Sequence, residues 1–224
     1  MSRVGAIWGS VWLILAALHM RFGIVESAWS DAFSGGDRAE LASTIIWQLR
    51  GVRVLLSSSA GAGLALAGLL LQTWFHNPLA GPSVLGISSG ATLGVALSVL
   101  GGAAILGASG VALGALLGSG FVLAVLWAVS QRYGHPVTLL VFGLMLGYVV
   151  GAMVTVLQVE ASQEALQAFV FWGMGSFSRA TWWWAVFLGV LALGAGGWAW
   201  AQKRSLDAWT LGALTASSMG VSER

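Results

Sequence analysis

Long apolar stretches separated by short polar segments dominate the pattern along the chain. No charged residue lies between Arg53 and Arg132, or between Arg132 and Glu160. A helix needs about 20 mainly apolar residues to cross a bilayer, and continuous rather than alternating apolar runs favour helices over barrel strands. We predict six membrane-spanning helices, at Val4–Ile24, Val54–Phe75, Val84–Leu100, Ile105–Val129, Val137–Leu157 and Thr181–Ala201.

Polar residues concentrate between and after these stretches. Val25–Leu49 and Gln158–Arg179 are predicted to be extramembrane loops, the first with a short helix, and the tail from Gln202 is a third polar region. The apolar run after Arg3 permits two interpretations, a cleaved signal peptide or an uncleaved first helix. We favour the uncleaved helix, because no small-residue cleavage site follows Met20 and five more spans come after it.

The composition agrees with a chain that lies in lipid. Of the 224 residues, 58% are hydrophobic and 8% are charged, whereas a soluble domain carries roughly 25% charged residues. The predicted fold class is therefore an all-α polytopic membrane protein, with one transmembrane domain over residues 1–224. Cysteine is absent and the three histidines are scattered, so neither a disulfide framework nor a metal-ligand spacing is present. The net charge of +2 does not indicate a nucleic-acid partner.

Glycine recurs every fourth residue in two of the predicted spans. Residues four apart share a helix face, so each triplet forms a flat strip where another backbone can approach closely. One interpretation is packing within the chain, and the other is a subunit contact or a pathway lining, for which the fifth span is the candidate. The triplets are Gly110, Gly114 and Gly118 in the fourth span, and Gly143, Gly147 and Gly151 in the fifth.

The segment between the second and third spans reads FHNPLAGPSVLGISSG from residue 75 to residue 90. Proline removes an amide donor and disfavours the α region at the preceding residue, so Pro78 and Pro82 predict a tight turn. We expect Asn77 to accept a hydrogen bond from a freed amide and Ser83 to cap the helix that follows. The charge pattern does not orient this hairpin, because five basic residues fall on each side of the predicted membrane.

Residues 50 to 94 resemble the FecCD-type permeases, the membrane subunits of ATP-binding-cassette importers for ferric siderophores, haem and vitamin B12. The shared features are paired arginines before the second helix, a glutamine near its end, an Asn-Pro-Leu-Ala turn and a Leu-Gly-Ile-Ser-Ser-Gly helix start. Weaker matches follow in order at residues 140–147 and 171–177. The matching residues of the first block are Arg50, Arg53, Gln72, Asn77, Pro78, Leu79, Ala80, Leu85, Gly86, Ile87, Ser88, Ser89 and Gly90, with Gly81 and Pro82 completing the turn.

The resemblance implies an orientation and a set of partners. It places both termini in the cytoplasm and the chain in a bacterial inner membrane. Arg50 and Arg53 would then dock a periplasmic substrate-binding protein at the outer face, although arginines at helix ends also occur at the membrane interface without a partner. A second permease copy would complete a homodimer, with Gly143, Gly147 and Gly151 near its two-fold axis.

The polar segment 202–224 is where the resemblance implies coupling to a separate ATP-binding subunit. The alternative is a frayed tail. The family typically has glutamate where this chain has Ala213. This chain therefore keeps the spacing of the family's coupling motif but lacks its negative charge. The implied coupling residues are Leu211, Gly212, Ala213, Ala216, Met219 and Gly220.

The implied function is that of a transport subunit rather than an enzyme. The chain has no Walker motif, so we expect no directly bound cofactor and ATP hydrolysis by the partner. Members of the family usually have ten spans, so an incomplete or split permease without independent transport is one alternative. An ATP-independent secondary transporter is another, but it would need ionisable residues within the membrane. The sequence does not identify the chelate carried.

Overall fold

The computed structural model describes residues 2–23, 32, 36–101, 107–218 and 220. Every regular element within these residues is a helix, which confirms the predicted all-α class. The helices are α1 (Ser2–Arg21), α2 (Asp37–Ser43), a π-helix (Thr44–Gly51), α3 (Val52–Phe75), α4 (Ile87–Val99), α5 (Gly107–Tyr133), α6 (Pro136–Glu160), α7 (Gln163–Gly173), α8 (Trp182–Ala201), α9 (Lys203–Thr210) and α10 (Ala213–Ser218).

Five helical segments among the described residues are long and apolar enough to cross a membrane. They contain α1, α3, α5, α6 and α8 and match five of the six predicted spans. The sixth prediction, Val84–Leu100, is too long, since α4 has 13 residues and rises about 20 Å against a hydrocarbon core of about 30 Å. The helix begins late because Gly86 has a left-handed backbone, with φ of 74°.

Both segments predicted to be extramembrane loops are more helical than expected. The short helix predicted in the first segment is α2, and the position of both segments outside the membrane stays a prediction. In Val25–Leu49, α2 and the π-helix continue into α3 and form one helical run from Asp37 to Phe75; residues 24–31 and 33–35 lie outside the described residues. In Gln158–Arg179, the hydroxyl of Ser162 accepts a hydrogen bond from the amide of Ala165 and caps α7. Scattered polar side chains are compatible with a helix that buries only one face.

The chain divides into two compact units. Unit 1 comprises Met1–Ala65 and Phe177–Trp198, and unit 2 comprises Leu66–Ser176 and Ala199–Arg224. The predicted single domain over residues 1–224, with its coupling segment at 202–224, stays a prediction.

Unit 1 is held together by a small apolar cluster and by polar contacts between its helices. Val52 and Leu56 of α3 pack against Ala185 of α8, and all three are buried. The indole N–H of Trp12 in α1 donates a hydrogen bond of 2.9 Å to the hydroxyl of Ser58 in α3. In lipid, such a hydrogen bond between helices supplements packing that apolar burial alone would leave weak.

Arg50 joins the end of the π-helix to the end of α1. Its side chain is only 5% exposed, and its Nη1 donates hydrogen bonds to the carbonyl oxygens of Met20 at 2.9 Å and Arg21 at 3.3 Å. These carbonyls belong to the last turn of α1, where helical partners are lacking and the helix dipole is negative. The guanidinium therefore serves as the C-terminal cap of α1.

Unit 2 is built around α4, which packs against α5, α6 and α7. One buried cluster joins Val95 and Ala96 of α4 to Val154 of α6 and Phe169 of α7. A second cluster lies at the start of α4 and joins Leu85 to Val122 and Leu126 of α5. Leu71 and Phe75 at the end of α3 pack against this second cluster.

Glycines bring the backbones of α4 and α5 into direct contact. A Cβ atom on Gly94 would collide with the carbonyl group of Gly114, and one on Gly118 would collide with the carbonyl oxygen of Gly90. Of the strip Gly110, Gly114 and Gly118, the last two glycines therefore pack against another helix of the same chain. Packing within the chain was the first of the two interpretations of this strip.

The cap on α1 predicts different effects for two arginines three residues apart. Arg50→Ala should lower the free energy of unfolding in detergent by about 1–3 kcal/mol, because two carbonyl oxygens lose their donor. Arg53→Ala removes the same charge from a half-buried position and should have a smaller effect. Denaturant titration followed by circular dichroism measures both, and equal losses would show that Arg50 is not a specific cap.

The α4–α5 contact predicts opposite effects for two glycines in one helix. Gly118→Ala should destabilise the protein by about 1–3 kcal/mol, because the new methyl group meets backbone atoms that cannot move aside. Gly120→Ala is the matched control, since nothing lies within 4 Å of its added Cβ. That change should be neutral or stabilising, since alanine favours helix by about 1 kcal/mol. Thermal unfolding of the two variants side by side would test the contact, and equal Tm values would contradict it.

Candidate functional site

The helix α3 ends in a paired hydrogen-bond motif that reverses the chain. The amide of Asn77 donates to the carbonyl of Gln72, and the amide of His76 donates to the carbonyl of Thr73. His76 has φ of 48° and is the one non-glycine residue with positive φ among the described residues. Glycine is the usual residue at this position of the motif, because a Cβ atom is unfavourable there.

The Asn-Pro-Leu-Ala segment forms a tight turn directly after His76. The side-chain oxygen of Asn77 accepts a hydrogen bond of 2.9 Å from the amide of Leu79, as expected for an asparagine before a proline. The amide of Ala80 donates to the carbonyl of Asn77 at 3.0 Å. Leu79 is 80% exposed at the tip, whereas Ala80 is buried.

A single helical turn over residues 81–85 follows and ends at Gly86. The amide of Ile87 donates to the carbonyl of Pro82, and the amide of Gly86 donates to the carbonyl of Ser83, which repeats the motif at the end of α3. The predicted cap by the Ser83 side chain is wrong, because α4 starts at Ile87 with Gly86 as its N-cap and no side-chain hydrogen bond. Ser83 lies inside the preceding turn instead.

Gly86 and Gly90 place the start of α4 against two neighbouring helices. A Cβ on Gly86 would lie 2.7 Å from the carbonyl oxygen of Gly143 in α6, and one on Gly90 would meet Gly118 and Val122 in α5. Both positions therefore exclude larger residues. Ser88, which the resemblance also singles out, is exposed, and its carbonyl oxygen accepts a hydrogen bond from the Thr92 hydroxyl.

The three glycines predicted to lie near a pathway or dimer axis have different surroundings. Gly143 is buried, with an added Cβ 2.9 Å from the Cα atom of Leu85, and Gly147 lies beside Gly86 and Ser89. Gly151 is exposed, with nothing within 4 Å of an added Cβ. The role of the triplet stays a prediction, and the structure gives Gly143 and Gly147 a partner within the chain.

The two arginines predicted to dock a binding protein also differ. Arg50 caps α1 from a buried position, whereas Arg53 is half-buried one turn later in α3. Their docking role stays a prediction, and for Arg50 it competes with the hydrogen bonds to α1.

The polar segment after α8 contains two short helices. Lys203 begins α9 and its ammonium group lies 4.5 Å from the ring centroid of Trp200. Leu211 and Gly212 connect α9 to α10, and Gly212 has φ of 103°. Of the other predicted coupling residues, Ala213 begins α10, Ala216 is fully buried, Gly220 follows the helix with φ of 78°, and Met219 lies outside the described residues.

Sequence reasoning missed a contact between the end of α3 and the end of α9. The ring Nε2 of His76 donates a hydrogen bond of 2.6 Å to the carbonyl oxygen of Trp209. The indoles of Trp74 and Trp209 stack with centroids 6.1 Å apart and an interplanar angle of 21°. No signal in the sequence indicated this contact, because the left-handed backbone of His76, where glycine is usual, is visible only in the structure.

Titratable side chains do not gather into a reaction centre in the described part of the chain. No group of three or more His, Cys, Asp or Glu side chains with metal-binding geometry occurs among those residues. What the described site offers is a set of helix ends, a tight turn and exposed polar helices.

Comparisons with known proteins place these features in a family. The sequence model of the FecCD transport family matches residues 11–224. The vitamin B12 import system permease protein BtuC of Photorhabdus laumondii is 35% identical over 188 residues, covering 82% of this chain and 55% of that protein. The BtuC protein of Escherichia coli O157:H7 is 30% identical over 219 residues, covering 94% and 65%. The chain thus spans little more than half the length of the first of these relatives.

The fold gives the same assignment. A solved structure described as an inward-facing conformation of a metal-chelate type ABC transporter matches with a TM-score of 0.82 and 26% identity, covering 99% of this chain and 68% of the other. Because sequence and fold agree over nearly the whole chain, this multi-pass membrane protein belongs to the FecCD transport family.

Proposed function

We propose that the chain is a membrane-spanning permease subunit of an ATP-driven importer. The cargo is a metal chelate, in the class of ferric siderophores, haem and corrinoids, which passes from a periplasmic binding protein to the cytoplasm. The family match and the similarity to vitamin B12 permeases support this class of activity. The chain covers 55% of the Photorhabdus relative and 65% of the Escherichia coli relative, so the activity of the whole transporter is part of the proposal.

The observation that carries the proposal is the polar helical pair that follows the apolar helix α8. The helix α9 exposes Lys203, Arg204 and Asp207, and Leu211 and Gly212 join it to α10. Short polar helices at a membrane surface suit docking into a groove on a water-soluble subunit, and rigid-body movement of that subunit can then be carried into the membrane. We assign the coupling role to the segment from Leu211 to Gly220, with Ala213 in place of the usual glutamate.

The periplasmic side of the membrane is assigned to the binding protein. Arg53 is the proposed docking residue, because its side chain is half-buried rather than engaged like Arg50 in the cap of α1. A rim arginine that meets a carboxylate on the partner mainly sets orientation and association rate. This assignment puts both termini in the cytoplasm and the chain in the bacterial inner membrane.

The passage itself is proposed to recognise shape rather than metal. Tyr133–Val159, which includes most of α6, contains no charged residue and no cysteine, and His135 precedes the helix. Gly151 is the exposed member of the glycine triplet and the best candidate to face the two-fold axis of a permease dimer. No cofactor is assigned to this chain, and ATP would be bound by the partner subunit.

An ATP-independent secondary transporter is the second candidate, and the lack of charged residues in the apolar helices disfavours it. Ion-coupled transporters place ionisable side chains at the membrane midplane. The uncharged stretches 54–131 and 133–159 contain α4 and most of α3, α5 and α6. These helices therefore lack the side chains for ion coupling.

Co-purification tests the importer assignment. The chain, expressed with the ATP-binding subunit from the same genome and isolated in detergent, should form a complex of two permease and two ATP-binding chains by native mass measurement. Leu211→Asp puts a charge on the exposed connector between α9 and α10 and should release the ATP-binding subunit. Gln202→Asp adds the same charge at an exposed position before α9 and should not.

Loss of the complex in the wild-type chain, with recovery once the remaining part of a related permease is supplied, would identify a split permease. If the chain still did not bind the ATP-binding subunit, the coupling role assigned to Leu211–Gly220 would be wrong. Uptake of radiolabelled vitamin B12 and, separately, of a ferric siderophore into proteoliposomes would then identify the cargo class.

The docking assignment predicts a charge-dependent association rate. Arg53→Glu should slow binding of the periplasmic protein to the complex by about tenfold at low salt, because a rim attraction becomes a repulsion. The difference should shrink at high ionic strength, where the Debye length is short. Surface plasmon resonance at two salt concentrations gives the rates, and an unchanged rate at low salt would show that Arg53 faces no partner.

A further inference from the structure

The end of α3 and the end of α9 meet through three side chains of unit 2. The indole of Trp209 lies 6.1 Å from the ring of Trp74 and 6.1 Å from the ring of His76, measured between centroids. The backbone carbonyl of the same tryptophan accepts the 2.6 Å hydrogen bond from His76. Trp209 is thus held through both its ring and its backbone, one residue before α9 ends.

His76 is an unexpected residue for its backbone position. It takes the left-handed conformation at the end of α3, where glycine avoids the steric cost of a Cβ atom. A strained conformation of this kind persists only where the surrounding structure holds it. The imidazole bond to Trp209 is the contact that glycine could not make, and it gives a physical reason for histidine at this site.

The same helix end leads directly into the packing of unit 2. Phe75 is the last residue of α3 and lies between Trp74 and His76 in the sequence. It packs against the buried cluster of Leu85, Val122 and Leu126. Asn77 begins the turn that carries Leu79 and leads to the start of α4. Trp209 therefore contacts residues that adjoin both the turn and the buried cluster at the start of α4.

We propose that Trp74, His76 and Trp209 form a clamp that transmits movement of α9 and α10 to the turn between α3 and α4. The idea rests on the proposed function, since the movement would come from the ATP-binding subunit docked at α10. Within it, His76 is a positioning residue: it fixes where α9 ends without contacting nucleotide or cargo. Coupling between two sites requires a physical element that both of them act on, and the clamp supplies that element.

His76→Gly is the decisive variant. Glycine suits the left-handed backbone, and His76 is exposed, so its removal leaves no cavity and the variant should fold. Trp209→Phe is the second variant, because it keeps the backbone acceptor and an aromatic ring but reduces the stacked area. Trp183→Ala is the control for loss of an indole, since this side chain is 74% exposed in unit 1.

Hydrogen exchange measures the clamp without any partner. Amide exchange in residues 203–218 of the detergent-solubilised chain should accelerate about tenfold in His76→Gly, because a local contact that restrains opening is lost. Exchange in the middle of α5 should not change. Trp209→Phe should show a smaller acceleration, and Trp183→Ala none.

A single-site label measures transmission. The chain contains no cysteine, so Leu79→Cys introduces one thiol at the exposed tip of the turn, and Leu193→Cys introduces one at an exposed control position in α8. With the ATP-binding subunit bound, addition of ATP and vanadate should change the labelling rate of Leu79→Cys by a maleimide dye. In the His76→Gly background this change should be lost, while the rate of ATP hydrolysis stays within about twofold.

Each outcome decides one part of the proposal. Unchanged hydrogen exchange in His76→Gly would show that the clamp does not hold α9. Faster exchange with an unchanged ATP-dependent response at Leu79→Cys would show that the clamp holds α9 but transmits nothing. Failure of the wild-type chain to bind the ATP-binding subunit, seen before any variant is made, would instead overturn the proposed function and the transmission together.

Discussion

Direct contact between helix backbones is the constraint on which the packing of unit 2 depends. Lipid offers helices little gain from burying apolar side chains against each other, so close backbone approach supplies the attraction. Gly90 and Gly94 of α4 lie against Gly118 and Gly114 of α5 with no room for a Cβ atom. Gly86 then lies against Gly143 of α6. The short helix α4 is in this way fixed on two sides.

Because α4 must meet α5 and α6 at fixed positions, the connection between α3 and α4 needs a defined backbone conformation. Two successive helix ends, at His76 and at Gly86, stop helical geometry through the same paired hydrogen bonds. Between them, Pro78 and Pro82 set the turns and Asn77 satisfies the amide of Leu79. The dense glycines and prolines of this segment therefore have a mechanical purpose: they bring the start of α4 to the backbone of α6 within a few residues of the end of α3.

The functional features lie at the helix ends rather than in the apolar middle of the chain. One end of α3 is continuous with the π-helix, whose Arg50 caps α1, and its other end contacts α9 through His76 and Trp209. The short helices α9 and α10 come after α8 in the chain. In a permease these are the places where movement and partners act, whereas the uncharged helices between them need only offer a passage.

The sequence by itself determined the helical class, the positions of five long helices and the place of the turn after α3. These follow from long apolar runs and from proline and glycine chemistry, which act locally along the chain. The family resemblance came from the same local signals, because Asn77 to Ala80 and Gly86 to Gly90 serve a fixed turn and a fixed helix contact.

Only the tertiary structure decided which partner each residue has. The pattern could not separate Gly143, which is packed against Leu85, from Gly151, which is exposed, because both lie on one strip with identical spacing. It could not separate Arg50 from Arg53 either, since burial of the first depends on where α1 ends. The length of α4 and the contact of His76 with Trp209 depend on residues far away in the chain. Such contacts leave no periodic trace in the sequence, since they arise only when the helices meet in space.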